Sequence, residues 1–378
     1  MTFAAVRVTD TGGRAALAWA EGLRFNVPYA LLERIGWLSS IDARGDLVMP
    51  GEPAHVTESD VDAVRLHAAF TDVPPLTSRL PLSYRRVPAW LRSAAATIIG
   101  RRQRNRVDTW AAFPGWPLDL SADLVADLAA STKAGGGPAP VLLTHDIDSP
   151  EGLRNLVDLF LPIEEAAGAR SANYIVPCAW PPDRQLVEEA RRRGHEVGVH
   201  GYDHSNRTPF AGDDERRARL DGARAFSERY GAVGYRAPSL LRTRSLVRDL
   251  ATRYLYDSSM PTSGGPFPVP NNGCATARPF HIEGVTEIPL TLPRDGSLRF
   301  LGYSAREIVR MWIDIAETIA RSGGIVVLLT HCEARFSGGR AMRDAYQAFV
   351  AHIASAPVRF AFTTPAELAR RLPHAHAV

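Results

Sequence analysis

Val141-Leu-Leu-Thr-His-Asp-Ile-Asp148 is an apolar run of strand length that ends in a histidine and two carboxylates. Before it stands Ser131-Thr-Lys-Ala-Gly-Gly-Gly-Pro-Ala-Pro140, a cluster of small residues, glycine and proline that cannot continue a helix and marks a domain boundary. After it, short apolar runs alternate with longer segments of helical spacing. Val141 to Thr144, Ala172 to Val176, Glu196 to Val199, Val233 to Tyr235, Ile288 to Leu290, Ile325 to Leu329 and Phe360 to Thr363 read as strands. Gly152 to Ala167, Arg184 to Arg193, Asp214 to Tyr230, Ser245 to Arg253, Ala305 to Arg321 and Arg340 to Ile353 read as amphipathic helices. This β-α alternation predicts an α/β fold with a parallel sheet, either open and doubly wound or closed as a barrel. The expected division is a smaller N-terminal domain over residues 1–135, with no recognisable repeat, and the α/β unit over 136–372.

In both architectures the active site lies at the carboxyl ends of the strands. Polar residues gather at those ends here. Asp146 and Asp148 follow the first strand, His200 the third, Arg236 the fourth, and His331 the strand Ile325 to Leu329. Unrelated surface or core polar residues would have no reason to share one rim.

Composition narrows the chemistry. The chain has 378 residues, 45% hydrophobic and 22% charged, ordinary for a globular protein with a sizeable core. Its formal charge of +3 gives no reason to expect a nucleic-acid partner. Lys133 is the only lysine, and its glycine-rich setting is unsuited to a nucleophile or Schiff base. The arginine bias also weakens any single arginine as a sign of anion recognition. Cys178, Cys274 and Cys332 are too scattered for a disulfide framework or a thiolate zinc site. The N-terminus lacks the pattern of an export signal, and no uncharged apolar run approaches the roughly 18 residues of a membrane span. A cytoplasmic protein is the expectation.

His200-Gly-Tyr-Asp-His204 sets two imidazoles four residues apart, and a helical turn or tight loop would bring them to one side. Two neutral nitrogens, one carboxylate and an open position make up a hydrolytic metal centre. Either Asp146 or Asp148 can complete it. The competing role for such an aspartate is to cap the following helix, which Ser149 can also do. Arg236, in Gly234-Tyr-Arg-Ala-Pro238, is equally well a salt-bridged structural residue when taken alone. Asp257, in Tyr256-Asp-Ser-Ser259, reads by itself as a turn. A lone histidine such as His331 is more often a hydrogen-bonded core residue than a catalyst. Cys332 beside it invites a Cys-His pair, but neighbours along a strand point to opposite faces.

Taken in order, these segments resemble the polysaccharide deacetylase family, the NodB-like carbohydrate esterases. Thr144-His-Asp-Ile-Asp148 is similar to its first motif and His200-Gly-Tyr-Asp-His204 to its second. Arg236-Ala-Pro238, Asp257-Ser-Ser259 and Leu328-Leu-Thr-His331 are similar to the third, fourth and fifth. The resemblance implies a distorted (β/α)7 barrel of TIM-barrel type with a divalent metal, usually zinc, on Asp148, His200 and His204. It implies Asp146 as general base held by Arg236, and His331 as general acid oriented by Asp257. Tyr202, Pro238 and Trp116 are candidate substrate contacts. Two departures stand out: Ile147 separates aspartates that are usually adjacent, giving a D-x-D variant, and Thr262 stands where the fourth motif normally ends in tryptophan.

The implied function is metal-dependent removal of an N-acetyl or N-formyl group from an amino sugar in a glycan, glycolipid or nucleotide-linked precursor. The alternatives are an amidase acting on a small cyclic or linear metabolite and a non-catalytic glycan-binding module. In the N-terminal part, Trp110 and Trp116 could stack on a sugar or pin a linker. Leu91 to Arg106, apolar with clustered arginine, could contact a membrane surface or lipid-linked substrate, or form a solvated helix end.

Overall fold

The computed structural model describes residues 7–10, 14–18, 24–28, 56–75, 78, 88–104, 116–129, 137–265 and 272–372. Trp110, Arg106, Lys133 and residues 131–136 of the expected boundary lie outside the described residues.

Strands β1 (Arg7–Asp10), β2 (Arg14–Ala18) and β3 (Arg24–Pro28) form an antiparallel meander. The main sheet begins with β4 (Ala139–Ile147), whose Val141, Leu142 and Leu143 are all buried, as a strand covered on both faces requires. It continues through β5 (Ser171–Ile175), β6 (Glu196–His200), β7 (Gly234–Arg236) and β8 (Tyr256–Asp257). Then come the antiparallel pair β9 (Phe280–Ile282) and β10 (Val285–Glu287), followed by β11 (Val326–His331) and β12 (Phe360–Phe362). Parallel pairing runs in the order β11-β4-β5-β6-β7-β8-β10.

The remaining gap, between β10 and β11, is bridged without a regular ladder. Ile288–Leu290, expected as a strand, instead continues β10 as irregular extended chain. Leu290 makes an isolated bridge to Pro261, the Leu292 N–H donates to the Val327 carbonyl (3.1 Å), and the Val327 N–H donates to Thr291 Oγ1 (2.8 Å). Seven strand positions therefore close into the distorted barrel that the resemblance implies.

The helices follow from their sequences. In Ala305–Ser322, Ser304 and Glu307 cap each other's backbone, and Ile308, Met311, Trp312, Ile315 and Ile319 make one buried face. Gly323 ends that helix at φ 74°. Trp312 Nε1 donates to the Pro293 carbonyl (2.8 Å), which pins the loop between β10 and the helix Asp295–Phe300. The expected helix Asp214 to Tyr230 is two helices, Asp213–Gly222 and Arg224–Tyr230. Gly222, a poor helix former, sits at the break, where a Cβ would stand 2.7 Å from the Tyr202 ring.

The N-terminal segments share the barrel's core. Val61, Val64, Trp116, Leu118, Leu120 and Val125 belong to the same buried cluster as Leu143, Leu298 and Trp312. Asp123 ties this layer to the sheet by accepting the Ala277 N–H (2.7 Å). The helix Ala89–Arg104 exposes Leu91, Ile98 and Ile99, while Arg104 is engaged by Glu307 (2.8 Å) and stacks on Tyr303. No helix among the described residues is long and apolar enough to cross a membrane.

Gly234 tests how tightly the barrel interior is filled. A Cβ there would stand 2.1 Å from the Tyr256 ring, and Tyr256 is held by bonds to Glu196 (2.6 Å) and Tyr174 (2.9 Å). Gly234→Ala is expected to lose about 1–3 kcal/mol of stability in urea unfolding. Gly137→Ala, where nothing lies within 4 Å, serves as the control and is expected to shift stability by under about 0.5 kcal/mol.

Candidate metal centre and active site

β6 delivers a buried His200 to the rim, and Gly201 (φ 63°) turns the chain where a side chain would collide with the Pro238 ring. The loop is tight rather than helical. His204 (φ 57°) and Asn206 (φ 64°) take left-handed conformations, as do Ser239 (φ 55°) and Leu240 (φ 58°) in the facing loop, and Ser239 Oγ donates to Asn206 Oδ1 (3.2 Å). Four non-glycine residues in a sparsely allowed region mark loops whose shape the surrounding packing enforces.

The result is two imidazoles 5.1 Å apart. His200 Nδ1 donates to the Arg236 carbonyl (3.0 Å), which fixes the tautomer and turns the Nε2 lone pair into the site. Asp148 Oδ1 lies 3.5 Å from His200 Nε2 and 3.3 Å from His204 Nε2. Ligand atoms of all three residues fall within 4.8 Å of one another. Two donors each about 2.0–2.1 Å from a tetrahedral ion stand about 3.3 Å apart, so the spacing and the N, N, O donor set fit one divalent metal. Burial opposes ionisation of Asp148, yet the His204 and His200 imidazoles hold its carboxyl well below the usual range.

The D-x-D spacing has a simple consequence. Residues i and i+2 of a strand share a face, so Asp146 and Asp148 both reach the site while Ile147 is buried in the core. Capping of the next helix falls to Ser149, whose Oγ accepts the Gly152 N–H (3.1 Å). Glu333 fixes the same turn, accepting from the Asp148 N–H (3.1 Å) and from Ser149 Oγ (2.8 Å). His145 points away, into a buried network with Glu164 (2.7 Å) and Thr330 (2.8 Å).

Asp146 is held by Arg236, with Nη1 3.1 Å from Oδ1, while its Oδ2 lies 3.5 Å from His200 Nε2. Arg236 is fully buried. It donates also to Thr144 Oγ1 (2.9 Å), the Ser258 carbonyl (2.8 Å) and Ser258 Oγ (2.9 Å), and its guanidinium lies 4.0 Å over the Tyr174 ring.

His331 has a partner that the sequence did not suggest. Its Nδ1 is 2.8 Å from Asp295 Oδ1, and its backbone N–H donates to Asp295 Oδ2 (2.8 Å), as does Ser337 Oγ (2.7 Å). Burial alone would lower the pKa of His331, but the Asp295 carboxylate, with smaller contributions from Asp148 and Asp146, raises it to about 9. The Phe336 ring packs against it at 4.8 Å.

Asp257, expected to orient His331, lies elsewhere. It accepts from Ser259 Oγ (2.6 Å), and Glu287 beside it accepts the Ser259 and Met260 N–H groups (3.1 and 2.8 Å). Burial pushes Asp257 up to about 6 and Glu287 well above its ordinary range. Asp295 was discoverable in principle, since Pro293-Arg-Asp-Gly296 closely follows an apolar run. Cys332 is fully buried with its thiol pKa pushed up by desolvation, which removes the thiol nucleophile. Of the candidate substrate contacts, Pro238 is buried beneath Gly201, and Tyr202 packs under Arg219 (4.8 Å). Trp116 is buried against Gly265 and lines a groove described below. Thr262 is buried and donates to the Thr276 carbonyl (2.7 Å).

No protein-family model matches the sequence, and no curated protein matches it. Solved structures do resemble the fold. A Mycobacterium smegmatis protein assigned as a polysaccharide deacetylase aligns with a TM-score of 0.51 at 19% identity, over 64% of this chain and 93% of its own. A Pseudomonas aeruginosa PAO1 protein assigned likewise gives 0.52 at 16%, over 66% and 97%. The allantoinase Puue gives 0.52 at 16%, over 66% and 96%. At such identities the likeness establishes the fold, and the chain has the NodB-like barrel.

Equilibrium dialysis against zinc is expected to give one bound ion per chain, with affinity lowered about 100-fold or more in His204→Ala. Binding of an ion by the His204→Ala variant as tightly as by the parent would contradict the assignment.

Proposed function

We propose that this chain is a divalent-metal-dependent hydrolase that removes an acyl group, acetyl or formyl, from the nitrogen of an amino sugar, with zinc as the metal. The supporting observation is the meeting, on one rim, of the Asp148, His200 and His204 ligand set with the Asp146–Arg236 pair and the His331–Asp295 pair. A metal-ligand cluster alone would suit a binding module. A carboxylate and a histidine with separate, opposite electrostatic settings suit acid–base catalysis.

The ion, when bound, supplies Lewis acidity that stabilises developing oxyanion charge and eases ionisation of water. Asp146 takes the proton of the attacking water, and the guanidinium of Arg236 holds and aims that carboxylate. An amide nitrogen leaves poorly unless protonated. His331, whose pKa Asp295 raises, donates a proton to it, and a larger fraction of it carries that proton at pH 7 than of a solvent-exposed imidazole. Tyr202, Pro238 and Trp116 are assigned to the substrate's surroundings.

The fold likeness to an allantoinase supports a second reading, hydrolysis of a cyclic amide. Product analysis separates the two. Zinc-loaded protein is expected to release acetate or formate from N-acylated hexosamine conjugates, and Asp146→Asn to lower kcat by about 10²–10⁴-fold while still binding zinc. Ring opening of cyclic amides with no acetate or formate from any conjugate would replace the first reading by the second.

The pH profile reports on the acid. His331 must be protonated to act, and Asp295 raises its pKa, so kcat is expected to fall as pH rises through about 9. Asp295→Asn is expected to move that alkaline limb down, toward the ordinary imidazole value of about 6.5. A limb that stays in place in the variant would remove His331 from the acid role.

A further inference from the structure

A groove beside the same rim is walled by Trp116, Leu240, Arg242, Asn272, Arg294 and Ser297 among others. It shares two loops with the site. Arg294 and Ser297 flank Asp295, the partner of His331, and Leu240 lies four residues after Arg236 in the left-handed stretch beside the histidine loop.

Arg242 is the unusual wall residue. Its side chain is 99% hidden from solvent, yet it bonds only neutral acceptors, the Leu240 carbonyl (2.6 Å) and the Asn272 side-chain oxygen, and its Nε–H has no acceptor. Among the described residues no carboxylate lies within ion-pair distance of it. Burial draws its pKa down to about 10, and the more distant Glu287 and Asp257 only partly offset this. Burial raises both of those carboxyls, which opposes their ionisation and weakens the charge they set against Arg242. Arg294, whose Nε donates to Ser297 Oγ (2.9 Å), brings a second guanidinium to the same groove. A buried guanidinium is normally paired, and its planar fork suits carboxylate and phosphate oxygens. Trp116, buried against Gly265, contributes an apolar part of the groove wall.

We propose that this groove binds an anionic substituent, a carboxylate or a phosphate, carried by the amino-sugar substrate. The inference rests on the deacylase reading and narrows its substrate class to acidic amino sugars, in which the charged group on the groove fixes the position of the acylated nitrogen at the rim. Its energetic role is to hold the scissile bond between Asp146 and His331.

Calorimetry of inorganic phosphate and of glucuronate with the zinc-loaded protein tests the groove without relying on turnover. At least one of the two is expected to bind, tenfold or more weakly in Arg294→Gln and in Arg242→Gln; Arg294 is partly exposed, so its variant guards against misfolding at the buried position. Which anion binds identifies the source of the charge. In turnover, an N-acetylhexosamine phosphate or an N-acetylated aminouronate is expected to show a kcat/KM at least tenfold above that of a neutral methyl N-acetylhexosaminide, and both substitutions are expected to collapse that ratio. Acetate released equally from neutral and anionic substrates would overturn the groove assignment and leave the deacylase reading standing. Acyl release from no substrate would instead defeat the deacylase reading. Neither anion binding to the parent, or both variants binding them as well as the parent does, would defeat the groove.

Discussion

Arg236 is the residue on which the site converges. Its side chain holds Asp146 and its backbone carbonyl orients His200, so one residue at the end of β7 sets both the proposed base and a proposed metal ligand. Burying a guanidinium is expensive, and it is tolerated here because Asp146, Thr144, Ser258 and the face of Tyr174 together satisfy it. Removing one partner from such a buried pair typically costs about 3–5 kcal/mol, so the arrangement is held in place by the same desolvation that makes it costly. Tyr174 in turn bonds Tyr256, and Tyr256 bonds Glu196, which carries the constraint from the rim down through the barrel interior. The small residues Gly198 and Gly234 leave room for those two rings.

The opposite side of the site is built on a different device. His331 ends β11, and Asp295 grips it through both its ring and its backbone N–H. Trp312 anchors the loop that brings Asp295 there by bonding the Pro293 carbonyl. That loop also carries Arg294 into the groove beside Trp116 and Arg242, so His331, the proposed acid, and the groove are positioned by one short segment.

The barrel was legible because its long strands are buried on both faces and read as apolar runs, as β4 and β11 do. The residues of the proposed metal site and Arg236 were legible because they stand at or near the ends of such runs. Asp295 was not, for a physical reason: β8, β9 and β10 are only two or three residues long, too short to show a period, and the segment closing the barrel after β10 is irregular. The resemblance made Asp257 the partner of His331, whereas it pairs with Ser259 and Glu287 within the barrel. Trp116 was legible as a candidate contact, but its packing against Gly265 was not, since that depends on a contact between segments far apart in sequence.

At the centre of this reading, Asp148, His200 and His204 would together hold a single metal ion beside Asp146. X-ray absorption at the zinc edge of the loaded protein tests it directly. The account predicts a first shell at about 2.0–2.1 Å whose outer-shell scattering fits two imidazoles, the rest being oxygen. A shell of oxygen alone, or one needing a third imidazole, would contradict it.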